Sequence, residues 1–268
     1  MRIRPLLSIC IPTYNRARYL KDALDSIIKQ INENNKDKVE ICISDNASED
    51  NTEELIKEYQ KKSPIPIIYH RNKKNMGADY NYLKVVEIAN GEYCWLLGSD
   101  DIIEDGGIDT VLSEIEKNKD VDIFYTNVQK YDITLRKKVK DKLADRLTIL
   151  EDTTAKGFLE YSKKLPPAGG YISNLIFKRK AWNSVPNKNK YIGTAYVHFY
   201  IFITLLNRGS KIKFIPYKLV GQRLENDSFI REVGGKYNRL ILDFNTLDIF
   251  KEVFGNTLGN MRSSKKNY

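Results

Sequence analysis

The apolar positions of the first hundred residues alternate between short runs and helically spaced stretches. Mainly apolar runs of strand length occupy residues 6–11, 39–43, 65–69 and 93–97. Between these runs, apolar side chains recur every three or four positions over residues 17–30, about 52–62 and about 78–89, which predicts amphipathic helices. Four strands separated by three helices predict an α/β fold with a mostly parallel, doubly wound sheet.

The remainder of the chain gives a coarser pattern. It predicts helices over residues 108–118 and 197–207, and strands over residues 121–127, 129–131 and 211–215. The charged residues 135–145 indicate an exposed hairpin or a mobile loop. Two prolines and two glycines within residues 164–170 predict a break before the apolar run 171–178. No repeat of fixed period and no clean linker is visible, so we expect a single domain.

Composition supports a globular core. Of the 268 residues, 41% are hydrophobic and 29% are charged, which excludes a disordered or collagen-like chain. No run approaches the roughly 18 apolar residues of a membrane span, and the first residues lack a secretory signal, so we expect a cytoplasmic protein. Cys10, Cys42 and Cys94 are odd in number and each lies in an apolar run, which predicts buried thiols and neither a disulfide nor a zinc site.

Charge is distributed unevenly along the chain. Residues 1–120 contain 17 Lys and Arg against 22 Asp and Glu, whereas residues 121–268 contain 27 against 13. The basic second part suits nucleic acid, the anionic inner face of a membrane or a phosphorylated substrate. Scattered lysines that only keep the surface solvated are the alternative interpretation.

Polar residues follow each of the four predicted strands. Ligands of such sheets bind beyond the carboxyl ends of the strands, so these residues are candidates for a binding site. They are residues 12–16, 44–50, 70–72 and 98–101.

Three carboxylates in these segments point to a metal. Asp45, Asp100 and Asp101 follow different strands and can converge on one crevice. Mg²⁺ and Mn²⁺ prefer oxygen ligands and complete their shell with water and substrate phosphate, so a metal here would neutralise a diphosphate. Alternatively, Asp100 and Asp101 cap the N-terminus of a following helix.

The order and spacing of these motifs resemble those of a known family. The series Leu6–Arg16, Ser44–Asp50, Arg71 to Gly77 and Trp95–Asp101 is similar to the family 2 glycosyltransferases with the GT-A fold, over about residues 6–106. Its later part resembles the bacterial abequosyltransferase-like branch. The resemblance implies an inverting enzyme of cell-surface polysaccharide biosynthesis, which moves a sugar from a nucleoside diphosphate sugar to a glycan acceptor. It also divides the domain into a nucleotide-sugar half, 1–105, and an acceptor half with a C-terminal tail, 106–268.

The resemblance also implies roles for individual residues. Asp45 accepts a hydrogen bond from the donor's base, and Asp100 is the last acid of the Asp-any-Asp metal motif, with Asp101 either a second ligand of Mn²⁺ or Mg²⁺ or a helix cap. Gly98 departs from the family, since many relatives have the first aspartate there. Further residues implied to contact the donor are Pro12, Thr13, Tyr14, Arg16, Asn75, Gly77, Ser99 and, near the diphosphate, Arg223. For Arg223 a surface ion pair is the alternative.

The acceptor hydroxyl must lose its proton to a general base. In the resembling family an aspartate precedes a helix that ends in Arg and Gly, and counting back from Gly209 places His198 at that position. An unperturbed histidine is largely neutral at pH 7 and can accept the proton. His198 could instead pack among aromatic residues or bind the metal, and Glu225 or Asp227 would then be the candidate base. We expect His70 to be structural, and residues 166–173 to form either a loop over the acceptor or a simple turn.

Two rival functions use the same residues differently. Because Gly98 and His198 replace acidic residues of the family, the chain could bind a nucleotide sugar without transferring it. A nucleic-acid-binding module would use the basic second part, but no recognition motif is present, so we expect no nucleic-acid partner. The expected partners are a nucleotide sugar, a glycan acceptor that is either free or lipid-linked, and, by peripheral contact, the anionic inner face of the cell membrane.

Overall fold

The computed structural model describes residues 4–140, 170–226 and 243–255. Its first half contains strands and helices close to those predicted. They are β1 (Leu7–Thr13), α1 (Ala17–Ile28), β2 (Val39–Asp45), α2 (Thr52–Lys62), β3 (Ile67–Arg71), α3 (Ala78–Glu87), β4 (Tyr93–Leu96) and β5 (Ile102–Ile103).

The second half completes the sheet. Its elements are α4 (Gly107–Lys117), β6 (Ile123–Tyr131), β7 (Lys138–Val139), β8 (Leu175–Lys178), α5 (Arg179–Ser184), α6 (Val197–Asn207), β9 (Ile212–Arg223) and a helix α7 over residues 243–255, with short 3₁₀ turns at Ile172–Asn174 and Lys188–Tyr191.

The nine strands of the described residues form one sheet in the order β3-β2-β1-β4-β8-β6-β9-β5, with β7 paired to β6. The strands β3, β2, β1 and β4 are parallel. Strand β8 is antiparallel to both β4 and β6, and β9 is parallel to β6. The carboxyl ends of β1, β4 and β9 therefore lie at the same edge, although these strands come from distant parts of the chain.

Alternation along the strands divides the core into two layers. In β1, Cys10 faces a layer that contains α3, α5 and α6, whereas Ile9 and Ile11 face a layer that contains α1, α2 and α4. Helix α6 is buried along nearly its whole length because it packs between the sheet and α5, α7 and the turn at Lys188–Tyr191. The three cysteines are free and buried, as predicted.

Two predicted boundaries differ from the structure. The predicted strands 121–127 and 129–131 are one strand, β6, because the irregularity near Asn127 is a shift in the register with β9 rather than a break. The predicted strand 211–215 continues to Arg223 because β6 pairs with it beyond that shift. Residues 141–145 and the prolines at 166 and 167 lie outside the described residues. No helix in the described ranges is long and apolar enough to cross a membrane.

Candidate active site

A cavity of about 350 Å³ lies at the carboxyl ends of β1, β4 and β9. Eight of the predicted site residues line it: Tyr14, Arg16, Asn75, Ser99, Asp100, Asp101, His198 and Arg223. Four others do not line it: Pro12, Thr13, Asp45 and Gly77. The site thus combines segments that are far apart in sequence.

Arg16 and Asp100 form an ion pair on the wall of this cavity. Arg16 Nη1 lies 2.7 Å from Asp100 Oδ2, and Arg16 Nη2 donates to the carbonyl oxygen of Asn226 at 3.0 Å. Asn226 Nδ2 donates to the same Asp100 oxygen at 3.0 Å. The ends of β1, β4 and β9 are therefore held together around one carboxylate that remains partly exposed.

Asp101 lines the cavity but is almost fully buried. Its Oδ2 accepts from Ser173 Oγ at 2.6 Å, and its Oδ1 accepts from the Arg223 backbone N–H at 3.4 Å. Burial and the neighbouring Asp100 charge raise the pKa of Asp101 to about 7. A Cβ atom at Gly98 would lie 2.7 Å from Asp101 Oδ2, so the absence of a side chain at Gly98 makes room for this carboxylate.

The residues at Asp100 fit a divalent ion. Both contacts of the Asp100 carboxylate with described residues are made by Oδ2. A Cβ atom at Gly98 would lie 3.3 Å from Asp100 Oδ1, so the glycine leaves room beside this second oxygen. Mg²⁺ is commonly bound by one or two carboxylates together with substrate phosphates, a requirement that Asp100 meets. The described ranges contain no cluster of three or more His, Cys, Asp or Glu side chains that could hold a metal by themselves. Because both Asp101 oxygens are hydrogen-bonded, we retain Asp100 alone as the proposed ligand.

The Arg223 side chain donates hydrogen bonds to three residues from different parts of the chain. Its Nε donates to the Asp100 carbonyl oxygen at 3.1 Å, its Nη1 to the Ile133 carbonyl oxygen and its Nη2 to Asp22 Oδ2 at 2.7 Å. The guanidinium also lies over the Tyr19 ring. Three of its five N–H groups thus donate within the protein, so its contact with a diphosphate stays a prediction, and Arg16 also lines the cavity beside Asp100.

Asp45 does not line the cavity, and its carboxylate instead holds the loop that contains Ser48. The carboxylate is fully buried and accepts from the backbone N–H and the hydroxyl of Ser48, at 2.9 and 2.6 Å, and from the Tyr69 hydroxyl at 2.9 Å. Arg71 Nε lies 3.5 Å from its second oxygen. The implied contact with a base is not part of this arrangement and stays a prediction.

An amide network, which the sequence did not reveal, fixes the next loop. Asn46 Nδ2 donates to Asn75 Oδ1 at 2.6 Å, and Asn46 Oδ1 accepts from the Met76 backbone N–H at 2.9 Å. Asn81 Nδ2 donates to the carbonyl oxygens of Thr13 and Ser44. Asn46 and Asn81 line the cavity, so these amides hold the loops that form its wall. Asn46 lies in the segment Ser44–Asp50, which resembles the family, but Asn81 carries no sequence signal beyond its helical position.

His198 lies in the first turn of α6 and lines the cavity. Its Nε2 is 3.0 Å from the Gly170 carbonyl oxygen, which can only accept, so we place the proton on Nε2. Its Nδ1 is buried and has no hydrogen-bond partner among the described residues. Burial lowers the pKa of His198 to about 4, whereas the sequence argument expected a value near that of free histidine. His198 is therefore neutral at pH 7, with its lone pair on Nδ1.

Asp79, in the first turn of α3, holds the segment that carries His198. Its carboxylate accepts from the backbone N–H groups of Gly193, Ala195 and Val197, at 2.8, 2.7 and 2.9 Å. No pattern in the sequence singles out Asp79. Further lining residues that the sequence did not single out for the site are Tyr82, Tyr196, Gln222 and Leu224.

Comparisons with known proteins identify the family and the fold. The profile of glycosyl transferase family 2 matches residues 8–183. The abequosyltransferase RfbV of Salmonella typhimurium is 36% identical over 250 residues, which cover 89% of this chain and 72% of that protein. S. aureus TarS in complex with UDP superimposes with a TM-score of 0.61 at 15% identity, over 92% of this chain and 70% of that one.

A second solved structure extends the likeness in fold. The mannosyltransferase PcManGT of Pyrobaculum calidifontis, in complex with GDP-Man and Mn²⁺, superimposes with a TM-score of 0.63 at 15% identity, over 94% of this chain and 68% of that one. Together, the motifs at the strand ends, the cavity they form and these likenesses lead to one assignment. The chain belongs to glycosyl transferase family 2, in its abequosyltransferase-like branch, and is a glycosyltransferase with the GT-A fold.

Proposed function

We propose that this glycosyltransferase is a metal-dependent, inverting enzyme that transfers a sugar from a nucleoside diphosphate sugar to a glycan acceptor in bacterial cell-surface polysaccharide biosynthesis. The observation that carries the proposal is the cavity itself, in which the Arg16–Asp100 pair and His198 line the same space. Inversion follows from direct attack of the acceptor hydroxyl on the anomeric carbon, without a covalent enzyme intermediate.

The donor's diphosphate fits the side of the cavity that Arg16 and Asp100 form. A bound Mn²⁺ or Mg²⁺ supplies positive charge to the leaving diphosphate. Asp100 would hold that ion, and Arg16 is near enough to Asp100 to neutralise phosphate oxygens from the protein side. Tyr14 and Asn75 line the adjoining wall and provide polar atoms for the nucleoside.

The acceptor side is formed by His198 and the aromatic residues near it. Tyr82 packs edge-on against the His198 ring, and Tyr196 lies beside it. As the new glycosidic bond forms, the acceptor oxygen passes its proton to the lone pair of His198 Nδ1, while the bond from the anomeric carbon to the diphosphate breaks. The Gly170 carbonyl oxygen keeps Nε2 protonated and therefore keeps Nδ1 available.

The similarity to an abequosyltransferase supports a glycan acceptor and a place in polysaccharide assembly. The excess of Lys and Arg in residues 121–268 supports a position at the anionic inner face of the membrane, where a lipid-linked acceptor would lie. Co-sedimentation with vesicles that contain an anionic lipid, at low and high salt, tests this position. Binding that fades with salt is expected, and salt-independent binding or no binding would contradict it.

Acceptor-dependent release of nucleoside diphosphate tests the central proposal. A thermal-shift panel of UDP-, GDP-, CDP- and dTDP-sugars with Mn²⁺ identifies the donor, since a ligand of the folded state raises the midpoint by mass action. The donor so identified is then incubated with and without bacterial surface glycans. Release that rises with acceptor supports transfer, whereas donor binding with no acceptor-dependent release indicates a binding protein.

A further inference from the structure

Helix α6 begins without a cap of its own. Its N-cap residue, Tyr196, makes no capping hydrogen bond through its side chain, and no acidic residue lies in its first turn. The first N–H groups of a helix have no partner within the helix and need one elsewhere. This matters here because His198 lies in that first turn.

Asp79 supplies the missing cap from another helix. It is 2% exposed, and it reaches across from α3 to accept the three N–H bonds of Gly193, Ala195 and Val197 described above. These partners are 114 to 118 residues further along the chain. A negative charge near a helix N-terminus is stabilising, so one carboxylate serves the first turns of both α3 and α6.

The backbone before α6 is shaped to meet this carboxylate. Gly193 and Ala195 have φ angles of 99° and 64°, in the left-handed region. That conformation is unfavourable for alanine and persists only when surrounding contacts impose it. Here it turns the N–H groups of both residues toward Asp79.

We propose that Asp79 is a positioning residue of the glycosyl transfer. It fixes residues 193–198, which include His198, relative to the N-terminus of α3. Its hydrogen bonds with the described residues all come from backbone N–H groups. Its neighbour Ala78 lines the cavity, as do Ala195, Tyr196 and His198. The first turn of α3 thus lines the cavity through Ala78 and holds the segment that carries His198 through Asp79. The proposal rests on the proposed role of His198 as base.

The test compares Asp79→Asn with a matched control. Asparagine keeps the shape of the side chain, but its NH₂ group would face backbone N–H groups that need an acceptor. Glu40→Gln is the control, because Glu40 is also buried and also accepts from backbone N–H groups, those of Asn90 and Gly91, but at the opposite end of the sheet.

For Asp79→Asn we expect kcat/KM for the acceptor to fall by on the order of 10²-fold, since a small displacement of reacting groups has that effect, while the donor's KM stays within about twofold. Glu40→Gln should lower the unfolding midpoint without changing either constant. Unchanged acceptor kinetics in Asp79→Asn, or equal losses in both variants, would overturn the proposal. If Asp79→Asn does not fold, Asp79→Glu keeps the charge but displaces the bonded N–H groups, and unchanged acceptor kinetics in that variant overturns the proposal equally.

A second readout does not depend on activity. The chain contains two histidines, so the ring ¹⁵N signals of the ligand-free protein are readily assigned by substitution. We expect the buried, hydrogen-bonded Nε2–H of His198 to exchange slowly in the wild type and fast in Asp79→Asn. The His70 signal should be the same in both proteins, since His70 contacts Asn72 rather than α6. An unchanged His198 signal overturns the proposal. If the His198 signal changes in Asp79→Asn but the wild-type protein has no transferase activity, Asp79 does position His198 and the proposed function is wrong.

Discussion

Arg16 Nη1 lies 2.7 Å from Asp100 Oδ2, so the cation and the carboxylate that we assign to the donor's diphosphate are already paired in the ligand-free protein. Their side chains are 13% and 21% exposed, which leaves both accessible from the cavity. The pair holds each group in place before a ligand arrives and thereby reduces the ordering that binding requires.

Replacement of Asp100 should remove metal-supported transfer. We expect Asp100→Asn to reduce kcat by roughly 10²- to 10³-fold, the range seen when one group that stabilises developing charge is lost. The unfolding midpoint should change little because the side chain lies at a strand end. Asp105→Asn, at an exposed residue paired with Lys29, is the control. Undiminished activity of Asp100→Asn, or full wild-type activity in excess EDTA, would contradict the metal assignment.

A side chain at Gly98 should damage the site, even one that restores the family's aspartate. The new Cβ would lie 2.7 Å from Asp101 Oδ2, so Gly98→Ala must displace a buried carboxylate, at a cost of about 1–3 kcal/mol in the free energy of unfolding. Gly98→Asp should be worse, since it adds a third negative charge. Urea denaturation measures both variants, and Gly255→Ala, where a Cβ meets nothing within 4 Å, is the control. A stable, active Gly98→Asp protein would show that Asp101 is not held as described.

Loss of the Asp45 carboxylate should weaken the fold as well as donor binding. Asp45→Ala leaves the hydroxyls of Ser48 and Tyr69 without their buried acceptor, which costs about 1–3 kcal/mol for each unsatisfied group. We expect a lower unfolding midpoint together with weaker donor binding and little change in kcat at saturating donor. An unchanged midpoint with weaker donor binding would instead favour the direct base contact that the family resemblance implies.

His198→Ala should slow turnover by about 10²- to 10⁴-fold, the usual contribution of general base catalysis, with donor affinity near that of the wild type. His198→Asp should restore part of the rate. Because burial lowers the pKa of His198 to about 4, the acid limb of the kcat profile should lie near that pH rather than near 6.5. Near-normal turnover of a folded His198→Ala protein excludes the base role and directs attention to Glu225, which also lines the cavity.

His198 should also make stability depend on pH. Its pKa in the folded protein, about 4, lies below the value of 6.5 in the unfolded chain, so the unfolded chain takes up the proton first as the pH falls. The stabilisation by neutral His198 is therefore complete above pH 6.5 and is lost progressively between pH 6.5 and about 4, by roughly 3 kcal/mol. Urea denaturation at pH 7, 6 and 5 should show a steeper loss for the wild type than for His198→Asn. Parallel pH dependence in the two proteins would mean that His198 is not buried.

Local signals in the sequence predicted most of the strands and helices in the first hundred residues. Short apolar runs and helical spacing predicted β1 to β4 and α1 to α3, because the period of apolar positions follows from which face of each element is buried. The helix predicted over residues 197–207 matches α6. Strand-end motifs also predicted that Arg16 and Asp100 belong to one site, since the carboxyl ends of parallel strands meet at one edge.

The sequence by itself thus determined the fold class and the family, and it predicted which edge of the sheet carries the candidate site. Only the tertiary structure decided which polar groups remain available there, because that depends on partners distant in the chain. Arg223 and Asp45 have hydrogen-bond partners within the protein that no local pattern indicates, and the lack of a side chain at Gly98 matters because Asp100 and Asp101 lie against it. Asp79 joins segments more than 110 residues apart, a relationship that no local pattern of charge or hydrophobicity records.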